Sequence, residues 1–166
     1  MEKVLKHLKR NAAIYLIALL CLLVVLIVVF HKPQTELETV DTSLFNVVTL
    51  NQVKDMFKDS KAKFVVISRS DDQATVKYVP TLQYSIGSAH NKVYYLELDN
   101  LKKDEEEELK SLLDIKHLIG QDDVLNQIPL NIIIKNKKVE YAYVGPMNLS
   151  TLEALVRAYG VSEENA

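Results

Sequence analysis

Between Ala12 and Phe30 the chain runs for 19 residues without a charged side chain. As a helix rising about 1.5 Å per residue, this run is roughly 28 Å long, close to the ~30 Å hydrocarbon core of a bilayer. It predicts one transmembrane helix over residues 12–30. Lys3, Lys6, Lys9 and Arg10 precede it, opposed only by Glu2, whereas Glu36, Glu38 and Asp41 follow soon after His31 and Lys32. The positive-inside rule keeps residues 1–11 cytoplasmic and puts everything after Phe30 outside.

A cleaved signal peptide shares the basic start and apolar stretch. Here the stretch is too long, and Ile27, Val28, Val29 and Phe30 lead straight into His31 without the small residues of a cleavage site. The reading is an uncleaved signal-anchor. Lipid attachment at Cys21 fits poorly, because Ala18, Leu19 and Leu20 put no small residue next to the cysteine and nine more apolar residues follow.

Residues 31–43, HKPQTELETVDTS, lack apolar periodicity and read as a linker, leaving residues 44–166 as one extracytoplasmic domain. After Phe30 the chain carries 21 acidic and 16 basic residues, an excess of about five negative charges before histidine. No basic face stands out, so nucleic acid is not an expected partner. Cys21 is the sole cysteine, so the exported part has neither disulfides nor thiolate metal ligands. Its stability must come from an apolar core.

The elements after the linker alternate. Phe45 to Val48 is a short strand candidate, and Thr49 is placed to cap a helix carrying Leu50, Val53, Met56 and Phe57. Phe64 to Ile67 is short and continuously apolar, which suits a central strand. Ser70, Asp71, Asp72 and Gln73 form an S-x-x-Q capping box for the next helix, which contains Pro80. Lys92 to Leu98 is a third strand, whose face bearing Tyr94, Leu96 and Leu98 is the better core candidate.

A third helix is expected within residues 100–119, opening with Asp104 to Glu108 and burying Leu109, Leu112 and Leu113. Leu130 to Ile134 and Val139 to Val144 are two strands joined by a turn at residues 136–138. Ser150 to Glu153 form a second capping box, for a helix that buries Leu152, Leu155, Val156 and Tyr159 and stops at Gly160. The order is β-α-β-α-β-α-β-β-α.

With that order, three local patterns resemble the thioredoxin superfamily. FVVISRSDDQATVKYVPTL (64–82) resembles its active-site strand, turn and proline-containing helix. Ile128-Pro129 followed by LNIII resembles its cis-proline loop, and KNKKVEYAYVG (135–145) its closing hairpin. The chain resembles small thioredoxin-like proteins of Gram-positive bacteria, including bacteriocin transport accessory proteins. The resemblance implies an α/β thioredoxin-like fold, a central mixed sheet flanked by helices, preceded here by the transmembrane helix. Counted back from Pro80, the two places of the family's Cys-x-x-Cys pair hold Asp72 and Thr75.

Thiol exchange needs a thiolate, usually activated at a helix N-terminus. Here the helix start remains without the nucleophile, so the expectation is a protein that is not an enzyme. The plain reading of Ser70, Asp71 and Asp72 is capping and complementarity to the helix dipole. Three sharper readings compete with it: Asp71 and Asp72 as an acid–base pair, the same carboxylates as cation ligands, and Arg69 as a cation offered to a partner's carboxylate.

Asp104 to Glu108 are explained by the dipole and by solvent exposure. His7, His31, His90 and His117 show no metal-ligand spacing, and Ser68 and Ser70 lack a hydrolase setting. Neither a cofactor nor a metal is expected. By resemblance, Gln127, Ile128 and Pro129 border a groove that binds extended peptide through backbone hydrogen bonds, with Arg69 to Asp72 facing it. The leading expectation is a membrane-anchored, redox-inactive binding or assembly subunit of a membrane, secretion or transport complex, with a protein or peptide partner. The alternatives are a protein that holds substrates for a cysteine-bearing partner, or a spacer.

Overall fold

The strand expected to lie deepest is buried at all six positions in the computed structural model, which describes residues 17, 19–23, 38–89, 92–120 and 123–161. This strand, β2 (Lys63–Ser68), sits at the centre of a five-stranded sheet ordered β1-β3-β2-β4-β5. The others are β1 (Asn46–Val47), β3 (Val93–Glu97), β4 (Leu130–Lys135) and β5 (Lys138–Val144). β1 and β2 both run parallel to β3, whereas β4 is antiparallel to β2 and to β5. The α-helices described from residue 38 onward are α1 (Leu50–Met56), α2 (Gln73–Ala89), α3 (Lys103–Leu113), α4 (Lys116–Ile119) and α5 (Leu149–Tyr159).

Strand alternation divides the core in two. Val65, Ile67, Leu96, Leu130 and Ile132 cluster with Val53 and Met56 of α1 and Leu109 and Leu113 of α3. Phe64, Val66, Val93, Tyr95 and Ile133 cluster with Tyr78 and Leu82 of α2 and Leu152 and Val156 of α5. With helices on both faces, an internal strand has no solvent side. The expected core face of β3 is buried at Leu96 and Leu98, with Tyr94 half-buried against it, but the opposite face is buried too, Val93 and Tyr95 being 1% and 0% exposed.

Local chemistry decides where the elements begin and end. Thr49 caps α1 as expected, in a reciprocal capping box with Gln52. The cap of α5 is Asn148 and not Ser150, because the Asn148 carboxamide accepts the Thr151 N–H at 2.9 Å. The single helix expected across residues 100–119 is divided at Asp114, whose left-handed φ of 43° ends α3. Asn136 and Lys137, both left-handed, make the two-residue turn that joins β4 to β5.

The chain divides into two units, Met1–Glu36 and Leu37–Ala166. In the first, residues 17 and 19–23 are helical with exposed apolar side chains. Among the described residues no helix is long and apolar enough to cross a membrane. The remainder of residues 12–30, all of 1–11 and residues 31–37 lie outside the described residues.

Candidate functional site

β2 ends at Ser68, and the chain turns through Arg69, Ser70, Asp71 and Asp72 into α2. The helix cap is Asp72 and not Ser70, which corrects the S-x-x-Q box. The Asp72 carbonyl accepts the Val76 N–H at 2.9 Å, and its Oδ2 accepts the Thr75 N–H at 2.7 Å. The Thr75 hydroxyl also reaches Asp72 Oδ2, at 2.5 Å, and lies 2.6 Å from Ser68 Oγ. The single hydroxyl proton of Thr75 goes to the carboxylate, so Ser68 donates to Thr75. Ser68 and Thr75 are both 0% exposed. Asp72 and Thr75 are therefore joined by hydrogen bonds, continued into the core by Ser68.

Ser70 is drawn away from capping by Asp99, which follows β3. Asp99 Oδ2 accepts the Ser70 N–H at 2.8 Å and its hydroxyl at 2.7 Å, while Oδ1 receives Arg69 Nη1 at 3.1 Å. Arg69 Nη2 lies 3.3 Å from Glu106 Oε1 on α3. Hydrogen bonding to Asp99, reinforced by Glu106, outweighs burial and raises the Arg69 pKa. Burial alone pushes the Asp99 carboxyl up, but the Ser70 N–H, the Ser70 hydroxyl and Arg69 together hold it below the usual carboxylate range. The charge of Arg69 is thus matched by two carboxylates of its own chain. The Tyr95 hydroxyl, its pKa raised chiefly by burial, reaches the Arg69 carbonyl at 3.4 Å.

The carboxylates of Asp104 to Glu108 divide their work. Glu105 Oε2 accepts the Lys102 N–H at 2.9 Å, Glu106 holds Arg69, Glu107 lies 3.0 Å from Lys110 and Glu108 lies 2.6 Å from Lys54. Dipole and solvent account for only part of that run. Asp71 is exposed. Among the described residues no three His, Cys, Asp or Glu side chains converge as metal ligands.

Register brings the proline loop beside this turn. Ile67 pairs with Leu130, so the next positions outward are Ser68 and Pro129. The Ile128-Pro129 bond is cis, with Pro129 buried and Gln127 and Ile128 half-buried. Pro129 offers its carbonyl to the Gly145 N–H at 2.7 Å, and Asn131 Nδ2 donates to the Gly145 carbonyl at 2.8 Å. Gly145 adopts φ +96°, which side-chain-bearing residues rarely do.

One partner of the turn lies in the expected linker. The Val40 N–H donates to the Ser70 carbonyl at 2.8 Å, Gln73 Nε2 to the Glu38 carbonyl at 3.1 Å, and Gln83 Nε2 to Asp41 Oδ2 at 3.2 Å. Val40 also packs against the α2–α5 side of the core. Sequence reasoning missed this strap and the Asp99–Glu106 clasp. The clasp had a signal: parallel pairing of β2 with β3 puts Glu97 beside Ser68, so the loops that follow them are neighbours.

No protein-family model matches the sequence, and no curated protein matches it. Similarity to solved structures lies in the fold. A chain from a study of thiol resolution in yeast mitochondrial 1-Cys peroxiredoxin aligns with a TM-score of 0.52 at 12% identity, over 70% of this chain and 96% of that one. Oxidised mitochondrial thioredoxin 3 of Saccharomyces cerevisiae gives 0.52 at 13% identity, over 70% and 96%. A mutant thioredoxin from Halobacterium salinarum gives 0.50 at 13% identity, over 69% and 88%. The chain has a thioredoxin-like α/β fold without a Cys-x-x-Cys pair.

Proposed function

We propose that this thioredoxin-fold chain is a membrane-anchored protein that works outside the membrane by contact and not by thiol exchange, as a binding or assembly subunit of a membrane, secretion or transport complex. The observation that carries the proposal is the pairing of Asp72 with Thr75. A capping carboxylate and a buried hydroxyl occupy the two cysteine places, and the only cysteine, Cys21, belongs to the apolar run. Neither side chain transfers electrons to a disulfide. The turn and the cis-proline loop remain side by side, a setting suited to an extended peptide held by its backbone.

The anchor rests on the uncharged run 12–30. Its described residues expose apolar side chains, Ile17 at 62% and Leu22 at 60%, a surface suited to lipid. The basic start places residues 1–11 on the cytoplasmic side in this proposal. The register that sets Pro129 beside Ser68 favours a second reading, in which a groove there holds substrates for a cysteine-bearing partner.

Photo-crosslinking from positions 69 to 72 in intact cells tests the proposal. A discrete protein adduct from Asp71, absent when the probe sits on exposed Lys137, supports it. Absence of any adduct, with membrane complexes unchanged when the chain is deleted, overturns it. An adduct that forms a mixed disulfide with a second captured protein identifies the substrate-holding variant.

A further inference from the structure

Outside the carboxyl ends of β1 and β3 lies a cleft of about 430 Å³, within the ~300–1,000 Å³ typical of binding pockets. Val48, Leu50, Leu96 and Leu101 give it apolar walls, and Glu97 and Glu105 stand among them; no lysine or arginine lines it. Neither carboxylate has an ion-pair partner among the described residues. Lys54, one turn along α1 from the lining residue Asn51, is already engaged by Glu108 at 2.6 Å.

The cleft opens beside the sheet edge. β1 is the terminal strand of the order, and Val47 and the nearby Leu44 are 50% and 54% exposed. Among the described residues no strand pairs with the outer side of β1, and such an edge with exposed aliphatic side chains offers main-chain hydrogen bonds to an added strand.

We infer that this cleft docks an extended segment of a protein partner that carries an aliphatic side chain next to a lysine or arginine. The aliphatic group rests on the apolar walls, and the cation is drawn to the carboxylates that line the cleft. Charge selects the occupant: two carboxylates and no base repel an acidic segment and attract a basic one. The cleft shares no lining residue with Arg69 to Asp72 or the proline loop, so this inference stands or falls separately from the proposed role of the turn.

The test uses the full chain in mild detergent and a fluorescein-labelled peptide of alternating valine and lysine, followed by fluorescence anisotropy. Saturable binding is expected, weakened about threefold to tenfold in the Glu97→Gln, Glu105→Gln double variant. Glutamine at 105 keeps the oxygen that caps Lys102. Leu101→Ser also weakens binding, whereas Glu153→Gln on α5 leaves it unchanged and a peptide with glutamate in place of lysine does not bind. The inference is overturned if the parent chain shows no saturable binding, if the double variant binds equally well, or if the glutamate peptide binds as tightly.

Discussion

Replacing Thr75 with valine removes one hydroxyl from the helix start and keeps the side-chain shape. In the folded chain that hydroxyl donates to Asp72 Oδ2 at 2.5 Å and accepts from Ser68 Oγ at 2.6 Å, with Ser68 and Thr75 both 0% exposed. Thr75→Val removes the Thr75 acceptor of the buried Ser68 hydroxyl, which is left with the Tyr95 hydroxyl as its neighbour, a loss of about 1 kcal/mol, while the helix-propensity change is minor. The backbone cap survives, because Asp72 Oδ2 still receives the Thr75 N–H at 2.7 Å. Removing the Ser68 hydroxyl as well, in Ser68→Ala with Thr75→Val, should cost less than the sum of the single changes, with a coupling above ~0.5 kcal/mol. Urea denaturation of the full chain in mild detergent, followed by tyrosine fluorescence, measures all four corners of this cycle. A Thr75→Val variant within about 0.5 kcal/mol of the parent on that scale, or strictly additive effects, would refute the hydrogen-bonded chain through Asp72, Thr75 and Ser68.

Asp72→Ala deletes the cap itself and should lower stability by about 0.5–2 kcal/mol in the same assay, with Asp72→Asn closer to the parent. Asp99 has a folded pKa below its unfolded value of about 3.9, so its contribution is present above that value and is lost as pH falls through the lowered one. The stability gap between the parent and Asp99→Asn should therefore be wide at neutral pH and narrow below about pH 4; a gap independent of pH contradicts the clasp. Val40→Pro removes the N–H that meets the Ser70 carbonyl, and limited proteolysis should then cut residues 38–43 faster while the sheet remains protected. Installing Asp72→Cys with Thr75→Cys should create a dithiol that closes on oxidation, counted by alkylation against Cys21.

The alternating order, the buried central strand and the Thr49 cap were all legible, because each is written in periodicity or in a few adjacent residues. The proline loop was legible only through resemblance. Cap choice was not legible where several capping residues compete: Ser70, Asp71 and Asp72 all qualify by type, and the decision came from Asp99, which takes Ser70 across the sheet end. Asn148 and Ser150 pose the same ambiguity. β3 misled because alternating Val93–Leu98 fits a one-sided strand and a strand covered on both faces equally well. The strap at Glu38 to Asp41 has no local signature, since its partners Ser70, Gln73 and Gln83 lie far along the chain and supply only three polar contacts.

The central proposal is that this thioredoxin-like fold works without thiol exchange. Insulin-disulfide reduction by the purified full chain, with dithiothreitol as the reductant, tests it most directly. The account predicts turnover no faster than dithiothreitol alone, with the Asp72→Cys, Thr75→Cys variant rising above that baseline. Catalysed reduction by the parent chain, abolished by Cys21→Ser or unaffected by it, would contradict the account.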